Sequence, residues 1–303
     1  MRRNDIIHIG LLLAALGAAY VLPFELLLLS YAILGPAHYF TEINWLHDRG
    51  YFLPHRGIAL ALVAAALGAM FIADPYWTGV LLWSLFVLCA IAATVKDPRR
   101  AGLYGVIAFA ATLAMVLADV PFGIAGVLLP TLVHVSLFTL VFMTLGAVRA
   151  KSKVQFGIVG AYLAALLLIV VVPPWRGSVV PALARLGEDY FGGVAPALGS
   201  LLGAPDLRFG GRVTGLLSFV YTYHYLNWFI KADVIRWSAI PRPRLIGIAL
   251  ASAAATGLYF YDYGIGFLVL LLISLMHVLL EFPLNALSMR QLGSAVLSRS
   301  AKA

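Results

Sequence analysis

The chain has 303 residues, of which 62% are hydrophobic and 11% charged, and a formal net charge of +8. No water-soluble domain of this length is so apolar, and repeated apolar runs of about 20 residues define a polytopic α-helical membrane protein. The excess Lys and Arg falls in short segments between those runs, as membrane topology requires, which excludes a nucleic-acid partner. Cys89 is the single cysteine, so an intrachain disulfide is impossible and thiolate ligation is not expected.

Taken in order, the apolar runs predict an all-α transmembrane bundle of about ten spans: 6–22, 24–46, 57–73, 77–95, 101–118, 122–148, 154–173, 213–231, 245–261 and 264–287. Arg2-Arg3 and the apolar stretch to Ala19 imitate a secretory signal peptide and are read as a retained first span. Pro23, Asp74-Pro75, Lys96-Asp97-Pro98, Asp119-Val120-Pro121 and Pro241-Arg242-Pro243 punctuate the series. With both termini in the cytoplasm, every one of the 21 basic residues except Arg176, Arg185, Arg208 and Arg212 lies in an inner segment. This asymmetry predicts an N-in, C-in topology in a bacterial inner membrane. The four exceptions share one Gly- and Pro-rich outer loop, 174–212, within which Val180 to Leu202 predicts an interfacial amphipathic helix. The chain is otherwise read as a single transmembrane domain, 1–303.

Four histidines lie inside apolar runs: His38, His134, His224 and His277, on spans two, six, eight and ten. All four spans run from outside to inside. The distance to the inner flank is ten residues for His38 (to Asp48) and fifteen for His134 (to Arg149). At 1.5 Å per residue that is about 15–22 Å, so the four rings are expected in one layer. Glu42 and Glu281 follow His38 and His277 by four residues, which puts each acid on its histidine's helix face. Ionisable side chains at membrane depth are costly and by default functional and inward-facing.

This residue set is that of a metal site. Two ligands four apart on a helix can grip one ion, as in the zinc-protease helix, and inward Glu and His from several helices build the di-iron sites of bundles. Imidazole suits Fe, Zn and Cu, and carboxylate moves the preference towards Fe or Mn. Non-haem iron is therefore the expected cofactor, with zinc or haem as alternatives. Asn227, Tyr223 and Tyr39 are candidate outer partners for ligand imidazoles. Tyr221, Trp228 and Phe138 are candidate walls for a hydrophobic small-molecule substrate, with Tyr221, His224, Asn227 and Trp228 on one helix face. Two other readings stand beside this one: a proton-coupled transporter using Glu42 and Glu281, and a bis-histidine haem subunit. Pro36, Pro130 and Pro283 lie close to the site residues and predict kinks there. His8, His47 and His55 are read as solvated, and Glu25, Asp74, Asp119 and Asp262 as outer-end residues without a specific role.

The stretch Gly35-Pro36-Ala37-His38-Tyr39-Phe40-Thr41-Glu42 resembles the early histidine motif of the bacterial Brp/Blh family, membrane proteins that cleave β-carotene to retinal. Gly and Pro precede the histidine and an acid follows it by four. Here Ala37 intervenes between proline and histidine, Tyr39 replaces a glycine, and the acid is Glu42 rather than aspartate. The resemblance covers eight residues. It implies iron-dependent dioxygenase chemistry on a carotenoid or related lipid, with His134, His224 and His277 in the place of the family's other ligands.

Overall fold

A computed structural model describes residues 3–50, 56–69, 71–72, 74–126, 128–196, 210–231 and 239–300. The described residues are overwhelmingly helical, with no strand among them. The helices are α1 Arg3–Val21, α2 Pro23–Leu29, α3 Gly35–Arg49, α4 Arg56–Ala69, α5 Pro75–Thr94, α6 Pro98–Leu117, α7 Phe122–Ala125 and α8 Leu128–Leu132. They continue as α9 Thr139–Ala150, α10 Lys153–Val171, α11 Pro181–Phe191, α12 Gly211–Ile230, α13 Arg242–Tyr261 and α14 Tyr263–Ser300. Two π-helical segments interrupt this pattern, Ser30–Leu34 between α2 and α3 and Val133–Phe138 between α8 and α9.

Eight helices among the described residues are long and apolar enough to cross a membrane. The protein is an all-α membrane protein. Helix α6 shows this most plainly: it has no buried residue, and Val106, Phe109 and Leu117 are all largely exposed. A helix apolar all round and uncovered by protein needs lipid around it. Two of the expected spans fall outside the eight. Helix α4 has 14 residues. Helix α12 carries Thr214, Ser218, Thr222, His224 and Asn227, all buried, which lower its hydropathy.

The helix starts follow local chemistry. Asp74 accepts a hydrogen bond from the Tyr76 N–H, and Asp97 from the Arg99 N–H, each capping a helix whose first residue is proline. Asp262 likewise accepts from the Ile265 N–H at the start of α14. Asp74 and Asp262, read from the sequence as without a specific role, thus have a structural task.

The chain divides into two compact units: Met1–His38 with Phe142–Leu270, and Tyr39–Val141 with Leu271–Ala303. In the first, α12 is the hub and packs on α1, α2, the Ser30–Leu34 turn and α10. Its N-terminus is seated under the 174–180 connection, because a Cβ on Gly211 would lie 1.7 Å from the Pro174 carbonyl oxygen. Glu25 ties the same connection to α2, accepting from Ser178 Oγ and from the Val179 and Val180 N–H groups at 2.6, 2.7 and 2.8 Å. Helix α11, the realised part of the expected amphipathic helix, sets Phe191 edge-on against Phe24 and Phe267. Residues 197–202 of that expectation lie outside the described residues, as does His55.

In the second unit, α5 packs on α4, α6 and α7. Leu82, Leu85, Phe86 and Cys89 of α5 form a core with Ala66, Leu275, Val278 and Leu279. Here too glycine sets the closest approach: a Cβ on Gly79 would meet the Phe122 carbonyl oxygen at 1.8 Å.

The prolines near the site residues act through the backbone. Pro36 has no N–H to give the Ala32 carbonyl, four residues earlier. The turn before it widens, with the Gly35 N–H reaching the Ser30 oxygen, and Ala32 oxygen accepts a 2.7 Å hydrogen bond from Thr256 Oγ1 of α13. Pro283 does the same in the second unit. It lies inside α14, and the carbonyl it cannot serve, Leu279, accepts from Cys89 Sγ at 3.4 Å. Neighbouring polar side chains commonly satisfy backbone groups freed by proline in membranes. The one cysteine therefore has a helix-bracing contact.

Candidate functional site

Each unit contains one buried histidine pair. In the first, His38 Nε2 and His224 Nε2 are 3.1 Å apart, with rings nearly perpendicular at 81°. His38 follows the widened turn and Pro36, and His224 comes from the hub helix α12. The rings are 0% and 7% exposed. Around them stand Tyr225, 5.1 Å from the His38 ring centroid, and Trp228, 5.4 Å from it. Tyr221 joins this wall through Tyr225 and Tyr31.

In the second unit, His134 Nε2 and His277 Nε2 are also 3.1 Å apart, with rings at 83°. His134 lies within the Val133–Phe138 π turn; such bulges occur often at functional sites. Tyr39 stacks on the His277 ring at 4.4 Å and 26°, which fixes the ring plane. Phe138 lies edge-on to His134 at 6.4 Å and to Phe282 at 6.1 Å. Two carboxylates complete the group. Glu281 Oε2 is 2.9 Å from His134 Nδ1, and ligand atoms of Glu42, His277 and Glu281 lie within 4.8 Å of one another. The Glu281–His134 approach has the length of a charge-assisted hydrogen bond but not its in-line angle. It is a close electrostatic contact. A carboxylate on the Nδ1 side favours the tautomer protonated there and leaves the Nε2 lone pair free to bind.

The 3.1 Å separation tests what the pairs can hold. Metal–nitrogen bonds of about 2.0–2.1 Å put neighbouring ligands of one ion roughly 3.0–3.4 Å apart. Both pairs fit cis ligation. The same distance also suits one N–H···N hydrogen bond between neutral rings. The carboxylates distinguish the two pairs: two glutamates buried to 2% exposure carry a desolvation cost that a cation offsets.

The other sequence candidates have different surroundings. Tyr223 is fully buried and stacks with Phe219 and Tyr162. Asn227 lines a cavity of about 210 Å³ with Asp5, His8, Gln155 and Lys231. His8 is thus half-buried in a cavity wall rather than solvated, while His47 is exposed beside Asp48. Sequence reasoning missed Asn285, which is 0% exposed on α14; its place one turn after Glu281 was the available signal.

No known family matches this sequence, and no curated protein or solved structure matches the chain.

Proposed function

We propose that this chain is a membrane-embedded non-haem iron oxygenase or related oxidoreductase acting on a lipid-soluble substrate, a carotenoid or another isoprenoid. The observation that carries the reading is the second unit's group: two imidazole nitrogens 3.1 Å apart, with Glu281 2.9 Å from His134 and Glu42 within ligand range of His277. His134, His277, Glu42 and Glu281 would hold the ion, and His38 and His224 supply a second imidazole pair. Mixed nitrogen and carboxylate donors suit iron. Bound iron supplies the one-electron chemistry that activates dioxygen. Tyr39 orients His277, and the Brp/Blh-like motif around His38 supports the same chemistry. Tyr221 and Trp228 in the first unit, and Phe138 in the second, are flat apolar rings of the kind that suits a conjugated chain. Haem is disfavoured, because the two imidazole nitrogens of each pair, 3.1 Å apart, leave no room between them for a macrocycle.

In this reading the chain crosses a bacterial inner membrane ten times, with both termini in the cytoplasm and 174–212 outside. The basic residues support that orientation. A reporter fused after Ala303 that works only in the periplasm would overturn it.

Metal analysis and an absorption spectrum of protein purified without chelator test the function. Stoichiometric iron without a Soret band is the expected result. A Soret band would replace non-haem iron with haem. Protein free of any transition metal would sink the reading and leave Glu42 and Glu281 to proton carriage.

A further inference from the structure

Along α14 the buried polar residues are Ser274, His277, Glu281, Asn285 and Ser288, at successive spacings of three, four, four and three. That spacing puts all five on one helix face. None is more than 4% exposed, and Asn285 is 0% exposed. Neither the Oδ1 nor the Nδ2 of Asn285 has a hydrogen-bond partner among the protein groups described. An amide carries acceptor and donor capacity that is costly to bury unmet. Buried polar groups in native structures are nearly always satisfied, by protein or by ordered water.

Asn285 follows Glu281 by one turn, at the Cβ separation of about 5–6 Å that an i, i+4 pair has. No direct hydrogen bond joins the two side chains, since both polar atoms of Asn285 and the Glu281 Oε2 lack a hydrogen-bond partner among the described residues, and one bridging water can link polar groups at this spacing. We propose that Asn285 and Glu281 hold a buried water between them. This is a polar subsite for a small oxygen ligand, on the Ser288 side of the carboxylates. The water would donate to the Glu281 carboxylate and to Asn285 Oδ1, and accept from Asn285 Nδ2 or a neighbour. Such a water needs two to four polar partners, and these residues provide them. The subsite needs no metal ion, so it stands apart from the proposed oxygenase activity.

The test uses the sign of a stability change in metal-free, chelator-treated protein. Leucine has the shape of asparagine without its polar atoms. If the amide is simply unmet, Asn285→Leu removes a penalty and raises Tm. If it holds a water against Glu281, the same change strands the carboxylate's partner and lowers Tm by about 2–8 °C. An unchanged or raised Tm overturns the proposal. Asn285→Ser guards against a variant that fails to fold, since a hydroxyl leaves room for a second water and keeps the network. It should fold and hold its Tm within about 2 °C of wild type. A serine variant that unfolds or falls as far as the leucine variant would make Asn285 a packing residue and end the proposal.

Discussion

The two histidine pairs share a 3.1 Å nitrogen separation and near-perpendicular rings, yet their neighbours differ in kind. His38 and His224 are walled by the rings of Tyr225 and Trp228. His134 and His277 are backed by two glutamates. Equal geometry in unequal electrostatic settings separates two tasks. In the proposed reading the carboxylate-backed pair would neutralise a cation and the aromatic-walled pair would sit against an apolar molecule. Distances alone would have made the pairs equivalent.

The sharpest way to break this comparison is His277→Ala. It removes a ligand common to the imidazole pair and to the Glu42–Glu281 group. Metal affinity should fall by more than the roughly 10–100-fold that loss of an outer partner costs, read as metal per protein after equilibrium dialysis. Unchanged metal content would take the second unit out of the site. Glu42→Gln keeps the shape and removes the charge of a proposed ligand, and should weaken binding by at least about 10-fold with the fold intact. His224→Ala should lower metal content less than His277→Ala, because its pair brings no glutamate of its own into the ligand group of Glu42, His277 and Glu281. Equal losses in the two variants would erase the distinction. The smallest effect belongs to the brace on α2 and α3. Thr256→Val removes the donor to Ala32 and should cost about 1 kcal/mol, seen in thermal unfolding, while Thr256→Ser should restore wild-type stability. A valine variant as stable as wild type would mean that the freed carbonyl has no need of Thr256.

Much of the fold could be read from the chain because apolar runs and proline boundaries speak directly to a lipid solvent. Helix starts at Pro75, Pro98 and Arg242 follow the punctuation seen in the sequence. The π turns could not be read, since one extra residue per turn leaves no compositional trace. At the site, His38, Glu42, His277 and Glu281 announced themselves as charges in apolar runs. Their division into an aromatic-walled and a carboxylate-backed pair did not, because it depends on which distant helix supplies each partner. Asn285 escaped notice because a neutral amide stands out less than a charge, although its burial is more complete than that of Glu281. Glu25 looked idle at a span end, yet it gathers three donors from residues 178–180, more than 150 positions along the chain.

The proline braces bear on how the protein is made. The Ala32 carbonyl that Pro36 cannot serve is met by Thr256, 224 residues later, and the Leu279 carbonyl left by Pro283 is met by Cys89, 190 residues earlier. During synthesis the Pro36 segment leaves the ribosome long before its brace exists, whereas the Pro283 segment arrives to find Cys89 already in place. The early segment must therefore pass through biogenesis without its brace until α13, which carries Thr256, has been made.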